Sequence, residues 1–179
     1  GSQLISGLLT ALPLCSKDST LHVSEPRSIP YMYITLDVLR HFGIRTRSEM
    51  EGDAELLEAT DWSGCSGISF RIRGGQHYRA ADFAIEGDWS AAANFLVAGA
   101  VFGSAEICGL DTRSLQADLT ILDILVEAGA SVSQLDDDRT VCVRKAPLEA
   151  FEMDLNNAPD LFPITAVLAA FCAGESRIA

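Results

Sequence analysis

The chain repeats itself. Thr35-Leu36-Asp37-Val38-Leu39, closed by Phe42-Gly43-Ile44, returns 86 residues later as Ile121-Leu122-Asp123-Ile124-Leu125, closed by Ala128-Gly129-Ala130. In the same register, a short strand at Thr20 falls on Glu106, and a helix around Leu8 falls on Asn94. Four elements agreeing at one offset point to a structural duplication, in which each copy covers an apolar face that it cannot bury alone. The unit reads helix, strand, helix, then several strands, so the fold class is α/β (or α+β), with helices buried against sheets.

Apolar periodicity sets the elements of each copy. Leu4, Ile5, Leu8, Leu9 and Leu12 predict a helix over 3–12 that Pro13 ends. Thr20–Ser24 alternates as a strand. Pro30 opens a helix over 31–42 that Gly43 stops, as a left-handed residue after a last turn does. Ile44–Arg47 reads as a strand, 50–64 as an acidic, irregular excursion, and Ile68, Phe70 and Ile72 as a further strand. The second copy gives helices over 89–102 and 115–128, with strands at 105–108, 131–135, 140–143 and 150–153. A third copy starts near Ala158 with a helix over 160–172 and the beginnings of a strand at Ser176-Arg177-Ile178. It then breaks off. Gly1-Ser2-Gln3 carries neither an initiator Met nor a basic signal region, so the chain reads as a piece of something longer.

Composition narrows the class. Hydrophobic residues at 48% and charged residues at 21% exclude a disordered chain. Thirteen Lys and Arg against 25 Asp and Glu give a net charge of −12, which argues against a nucleic-acid or membrane partner. No apolar run reaches the roughly 18 residues that a membrane span needs. The five cysteines are odd in number, widely spaced and without a CxxC pair, and read as buried, reduced thiols of a cytoplasmic protein.

Several side chains invite chemistry, each with a plainer reading beside it. Ser2 and Gln3 precede the first helix, where Ser is either an N-cap or part of an anion site at the helix start. Ser28 and Tyr31 flank Pro30 at the next helix entry and face the same choice, with Arg27 available as a neighbouring charge. Asp160 follows Pro159 in the first turn of the third helix, as a dipole partner or as a catalytic base. Gly74-Gly75 lies in neither a Walker nor a GxGxxG motif, and Asp136-Asp137-Asp138 reads as a solvated hairpin turn rather than a calcium loop. No metal site and no Gly-x-Ser-x-Gly elbow is found.

Five segments together resemble the 5-enolpyruvylshikimate-3-phosphate synthase (EPSP synthase) family in its bacterial form. They are Ser2-Gln3-Leu4-Ile5-Ser6-Gly7, Ser28-Ile29-Pro30-Tyr31 with Thr35-Leu36-Asp37, Glu86-Gly87-Asp88-Trp89-Ser90-Ala91-Ala92, Ser114-Leu115-Gln116-Ala117-Asp118, and Met153-Asp154-Leu155-Asn156 with Pro159-Asp160. The resemblance implies repeated βαβαββ units in two lobes, with 1–84 in the lobe that grips shikimate 3-phosphate, 85–179 in the other, and a crossover near 84–88. It implies transfer of the enolpyruvyl group of phosphoenolpyruvate to the 5-hydroxyl of shikimate 3-phosphate, with release of phosphate, in the cytoplasm, by a monomeric full-length enzyme that needs no cofactor. By position, Ser2 and Ser28 bind the phosphoryl group, Gln3 lies between the substrates, Tyr31 lines the shikimate pocket, and Asp160 takes or holds the 5-hydroxyl proton.

There are departures from the family pattern. Gly1 replaces a usual Ser, and Leu161-Phe162-Pro163 replaces the common Ala-Ala-Met. The family's cationic segments at its two ends have no counterpart here, so the chain is expected to be a middle fragment, inactive alone. The sister transferase acting on UDP-N-acetylglucosamine, and a non-catalytic α/β binding module, are the alternatives.

Overall fold

A computed structural model describes residues 2–58, 62–135 and 139–179. The chain divides into two compact units, 1–83 and 84–179.

In the first unit, helix α1 (Ser2–Ala11) leads through a 3₁₀ turn at Leu12–Leu14 to strand β1 (Ser19–Ser24). Helix α2 (Ile29–His41) follows, then β2 (Thr46–Gly52), the short helix α3 (Ala54–Glu58) and β3 (Cys65–Ile72). The strands form an antiparallel sheet with β3 between β1 and β2. Helix α2 buries Ile29, Met32, Leu36 and Leu39, spaced as one helical face, against Leu9 of α1 and Ile68, Phe70 and Ile72 of β3. The other face of β3 carries Ser69 and Arg71 outward, as strand alternation requires.

Hydrogen bonds fix the direction of the two helices. The Ser6 and Thr35 hydroxyl oxygens, near the middles of α1 and α2, are 2.7 Å apart. Downstream, Gly75 N–H and Gln76 N–H donate to Cys15 O and Pro13 O, and Arg79 N–H donates to Phe42 O. One short segment thus ties the C-terminal ends of both helices. The helices therefore run parallel, and both N-termini lie at the opposite end of the unit.

The second unit repeats the plan. Helix α4 (Trp89–Phe102) precedes β4 (Ser104–Cys108). A 3₁₀ turn at Ala117–Thr120 then runs into α5 (Ile121–Glu127), followed by β5 (Ser131–Gln134) and β6 (Thr140–Arg144). The sheet order is β4-β6-β5, all antiparallel, so the third strand of each copy inserts between the first two. Helix α4 buries Trp89, Ala92, Ala93, Leu96, Val97, Ala100 and Val101 along one broad stripe. Strand β7 (Glu152–Met153), helix α6 (Phe162–Ala169) and β8 (Arg177–Ile178) complete the unit, and β7 and β8 pair in parallel across the helix. Gly43 and Gly129 both adopt left-handed φ, at +86° and +82°, where the matched helices end.

The structure corrects several expected boundaries. The acidic stretch after Arg47 is not irregular throughout: β2 continues to Gly52, because its outer face tolerates charge and only its pairing with β3 demands extension. Asp53 then caps α3 by accepting the N–H groups of Glu55 and Leu56. The helices expected over 115–128 and 160–172 open as 3₁₀ turns and are shorter. Cys15 and Cys108 are exposed rather than buried, while Cys65 is buried. Asp136, Asp137 and Asp138 lie outside the described residues, as does Gly1. No helix among the described residues is long and apolar enough to cross a membrane.

Candidate functional site

The parallel helices of the first unit bring together the starts of α1 and α2, and with them Ser2, Gln3, Ser28 and Tyr31. From the Ser6–Thr35 contact, Ser2 lies about 6 Å back along α1 and Ser28 about 10 Å back along α2, at 1.5 Å per residue. The positive ends of two adjacent helix dipoles make this end of the unit favourable to an anion.

Ser28 is the unusual member. It occupies the N-cap position of α2, yet its side chain makes no capping hydrogen bond. Its backbone is left-handed, at φ 54° and ψ 43°, and Glu25 just upstream is left-handed too, at φ 48°. A side-chain-bearing residue in that region is strained by roughly 1–3 kcal/mol. The turn re-aims the Ser28 hydroxyl instead of using it to close the helix. Pro30 then sits inside the first turn, where its missing N–H costs nothing. Tyr31 N–H closes the turn onto Ser28 O at 3.2 Å. Ser2, by contrast, is the first residue of α1 and half-buried, while Gln3 is exposed.

Asp160 belongs to the second unit. It is exposed, in the 3₁₀ turn Pro159–Leu161 that runs directly into α6. Leu161 beside it is fully buried and Phe162 about half exposed, so the departure at 161–163 puts one side chain into the core and one outside.

A polar clamp that the sequence reading did not single out organises the start of α4. The Gln116 side chain accepts Trp89 N–H at 3.0 Å and donates to Gly87 O at 2.9 Å. Asp88 caps the helix by accepting Ser90 N–H at 2.9 Å and Ala91 N–H at 3.2 Å. The Trp89 indole N–H donates to Asp111 O, and the Ser114 hydroxyl accepts Gln116 N–H. Arg113 N–H donates to the Asp111 carboxylate, which, with the nearby guanidinium, holds that group below its ordinary pKa. Glu86–Ala92 and Ser114–Asp118 are thus two halves of one hydrogen-bonded structure. Their spacing hides this, because 27 residues separate Gln116 from Trp89.

Comparison with known proteins fits this arrangement. The model of the EPSP synthase (3-phosphoshikimate 1-carboxyvinyltransferase) family matches residues 1–179. The chain belongs to the EPSP synthase family. It is 36% identical over 178 residues to the 3-phosphoshikimate 1-carboxyvinyltransferase of Methanocorpusculum labreanum, and 42% identical over 178 residues to that of Methanothrix thermoacetophila. Each alignment covers 99% of this chain and 38% of the relative, so the chain spans under two-fifths of their length.

The fold is shared with solved enolpyruvyl transferases. An EPSP synthase of Acinetobacter baumannii superposes with a TM-score of 0.65 at 19% identity, over 99% of this chain and 38% of that one. The enolpyruvyl transferase NikO of Streptomyces tendae superposes with a TM-score of 0.62 at 20% identity, over 97% and 39%. Membership of the EPSP synthase family accounts for the duplicated units and for the five motifs in order.

Proposed function

We propose that this chain contributes part of an enolpyruvyl transferase that moves the enolpyruvyl group of phosphoenolpyruvate to the 5-hydroxyl of shikimate 3-phosphate and releases phosphate. The observation that carries this reading is Ser28: an uncapped hydroxyl, held by a strained turn at the paired starts of α1 and α2. Such a place suits the phosphoryl group of shikimate 3-phosphate, which the helix-start N–H groups and the hydroxyls of Ser2 and Ser28 would bind. Gln3 lies between the substrates in this reading, and Tyr31 lines the shikimate pocket. Residues 1–84 belong to the lobe that holds shikimate 3-phosphate and 85–179 to the other.

Asp160 takes the proton of the 5-hydroxyl as that oxygen attacks the enolpyruvyl carbon, or holds the hydroxyl in line for attack. An exposed carboxylate suits this work, because it is accessible to the hydroxyl of a bound substrate. No metal or cofactor is required. The five thiols, none of them in a disulfide, suit a cytoplasmic setting.

The net charge of −12 opposes two anionic substrates, so this polypeptide by itself binds shikimate 3-phosphate weakly and does not turn over. Calorimetric titration with shikimate 3-phosphate, with phosphate release from phosphoenolpyruvate followed on the same sample, tests the reading. Weak binding that Ser28→Ala abolishes, with no heat from UDP-N-acetylglucosamine, is expected. Binding that Ser28→Ala leaves intact would remove the helix starts from the site, and turnover by this chain would overturn its assignment as an inactive part.

A further inference from the structure

At the other end of the first unit, strand register assembles a second group of charges. In the β2–β3 pair Arg47 stands directly opposite Arg71, and Thr46 opposite Ile72. The pairing ends there, and Arg45 and Arg73 are the next residues along the two strands. The Gln76 side chain locks that step: its Nε2 donates to Arg45 O at 3.0 Å and Arg73 O at 2.7 Å, while its Oε1 accepts Arg45 N–H at 2.8 Å. Thr46 and Ile72 turn toward the helices, so strand alternation sends all four arginines to the outer face, where all are exposed. They line one open cleft of about 880 Å³.

Like charges directly opposite each other in a sheet repel and destabilise the pair. Among the described residues, no ion pair engages Arg45, Arg47 or Arg73. Arg71 alone is paired, with Glu49 at 3.2 Å, and both of those side chains are about two-thirds exposed. This end is also remote from Ser28: the 13 residues of α2 separate the two ends by roughly 20 Å.

We propose that this arginine array is a binding site for a small ligand carrying two or more phosphoryl groups, distinct from the site at the helix starts. Guanidinium groups match phosphoryl oxygens bidentately. Arg47 and Arg71 stand about 5 Å apart across the strands, and Arg45 and Arg73 lie about 7 Å further along their own strands, so one phosphoryl group engages the first pair and a second phosphoryl group the other two. The ligand offsets the repulsion that the register imposes.

Calorimetry with inorganic tripolyphosphate, orthophosphate and sodium chloride at matched ionic strength tests this on the whole chain. One tripolyphosphate per chain is expected, bound at least about tenfold more tightly than orthophosphate. The double variant R47Q/R73Q weakens it about tenfold or more, Ser28→Ala leaves it unchanged, and Glu49→Gln tightens it by freeing Arg71. Equal responses to tripolyphosphate and orthophosphate, loss of binding in Ser28→Ala, or capture of a glutamate oligomer but not tripolyphosphate would each overturn the proposal. Should R47Q/R73Q fail to fold, Glu49→Gln decides, and unchanged affinity there refutes the site.

Discussion

Ser28 holds a left-handed turn at a position that glycine would occupy without strain. Replacing it with glycine relieves about 1 kcal/mol or more of backbone strain and forfeits about 0.4–1 kcal/mol to the freer unfolded chain. Ser28→Gly is therefore expected to resist urea as well as the parent or better, yet to lose shikimate 3-phosphate binding, as Ser28→Ala does. A Ser28→Gly chain that is clearly less stable would mean that the hydroxyl is structural. Asp160 makes a different prediction, because the role proposed for it is kinetic. With the complementary segments of the family enzyme supplied in trans, Asp160→Asn should lower kcat by about 10²–10⁴ while shikimate 3-phosphate affinity stays within about threefold. A kcat within tenfold of the parent would take Asp160 out of proton transfer.

At the scale of elements, one tight joint is where α4 lies on β4. A methyl group added at Gly99 would stand 2.7 Å from both the amide nitrogen and the Cβ of Ala105. Alanine favours a helix over glycine by about 1 kcal/mol, so propensity alone argues for stabilisation. The clash is with backbone, which cannot swing aside, and forcing the helix off its strand costs about 1–3 kcal/mol. Gly99→Ala is expected to be net destabilising, seen as an earlier urea midpoint in Trp89 fluorescence; a later midpoint would show that the joint can open. The same packing explains why the 86-residue offset survives: helix and strand must keep their spacing to stay in contact. The offset fails only between the second and third strands. There the first unit inserts α3 and a 3₁₀ turn at Trp62–Gly64, whose Leu57 and Trp62 pack against the core of that unit, Trp62 against the Tyr33 ring at 5.4 Å.

For the whole molecule, charge is divided unevenly. The first unit carries eight Lys and Arg against ten Asp and Glu, and the second five against fifteen. Net charges of −2 and −10 predict different salt responses, because self-repulsion weakens a compact state and added salt screens it. Each unit has its own buried core and its own tryptophan, Trp62 in the first and Trp89 in the second. Thermal unfolding of Trp62→Phe and Trp89→Phe should report the units separately, with sodium chloride raising the Tm of the second more than that of the first. One coincident transition with a common salt response would show that they melt as a single body.

Local rules made much of this legible in the amino-acid sequence. Helices appeared where apolar residues recur every three or four positions, stops where Gly43 and Gly129 need left-handed backbone, and the duplication because both copies obey the same packing. Family motifs pointed to Ser2, Gln3, Ser28, Tyr31 and Asp160 for the same reason, each being a short run of neighbours. What the tertiary structure alone decided is everything set by pairing between distant segments. The Gln116 clamp joins residues 27 apart, the Arg45–Arg47 and Arg71–Arg73 steps meet through an antiparallel register, and the two helix starts coincide because one loop ties their far ends together. A chain with an overall charge of −12 gives no hint of four arginines on one face, since net charge sums over the molecule whereas strand register places each side chain.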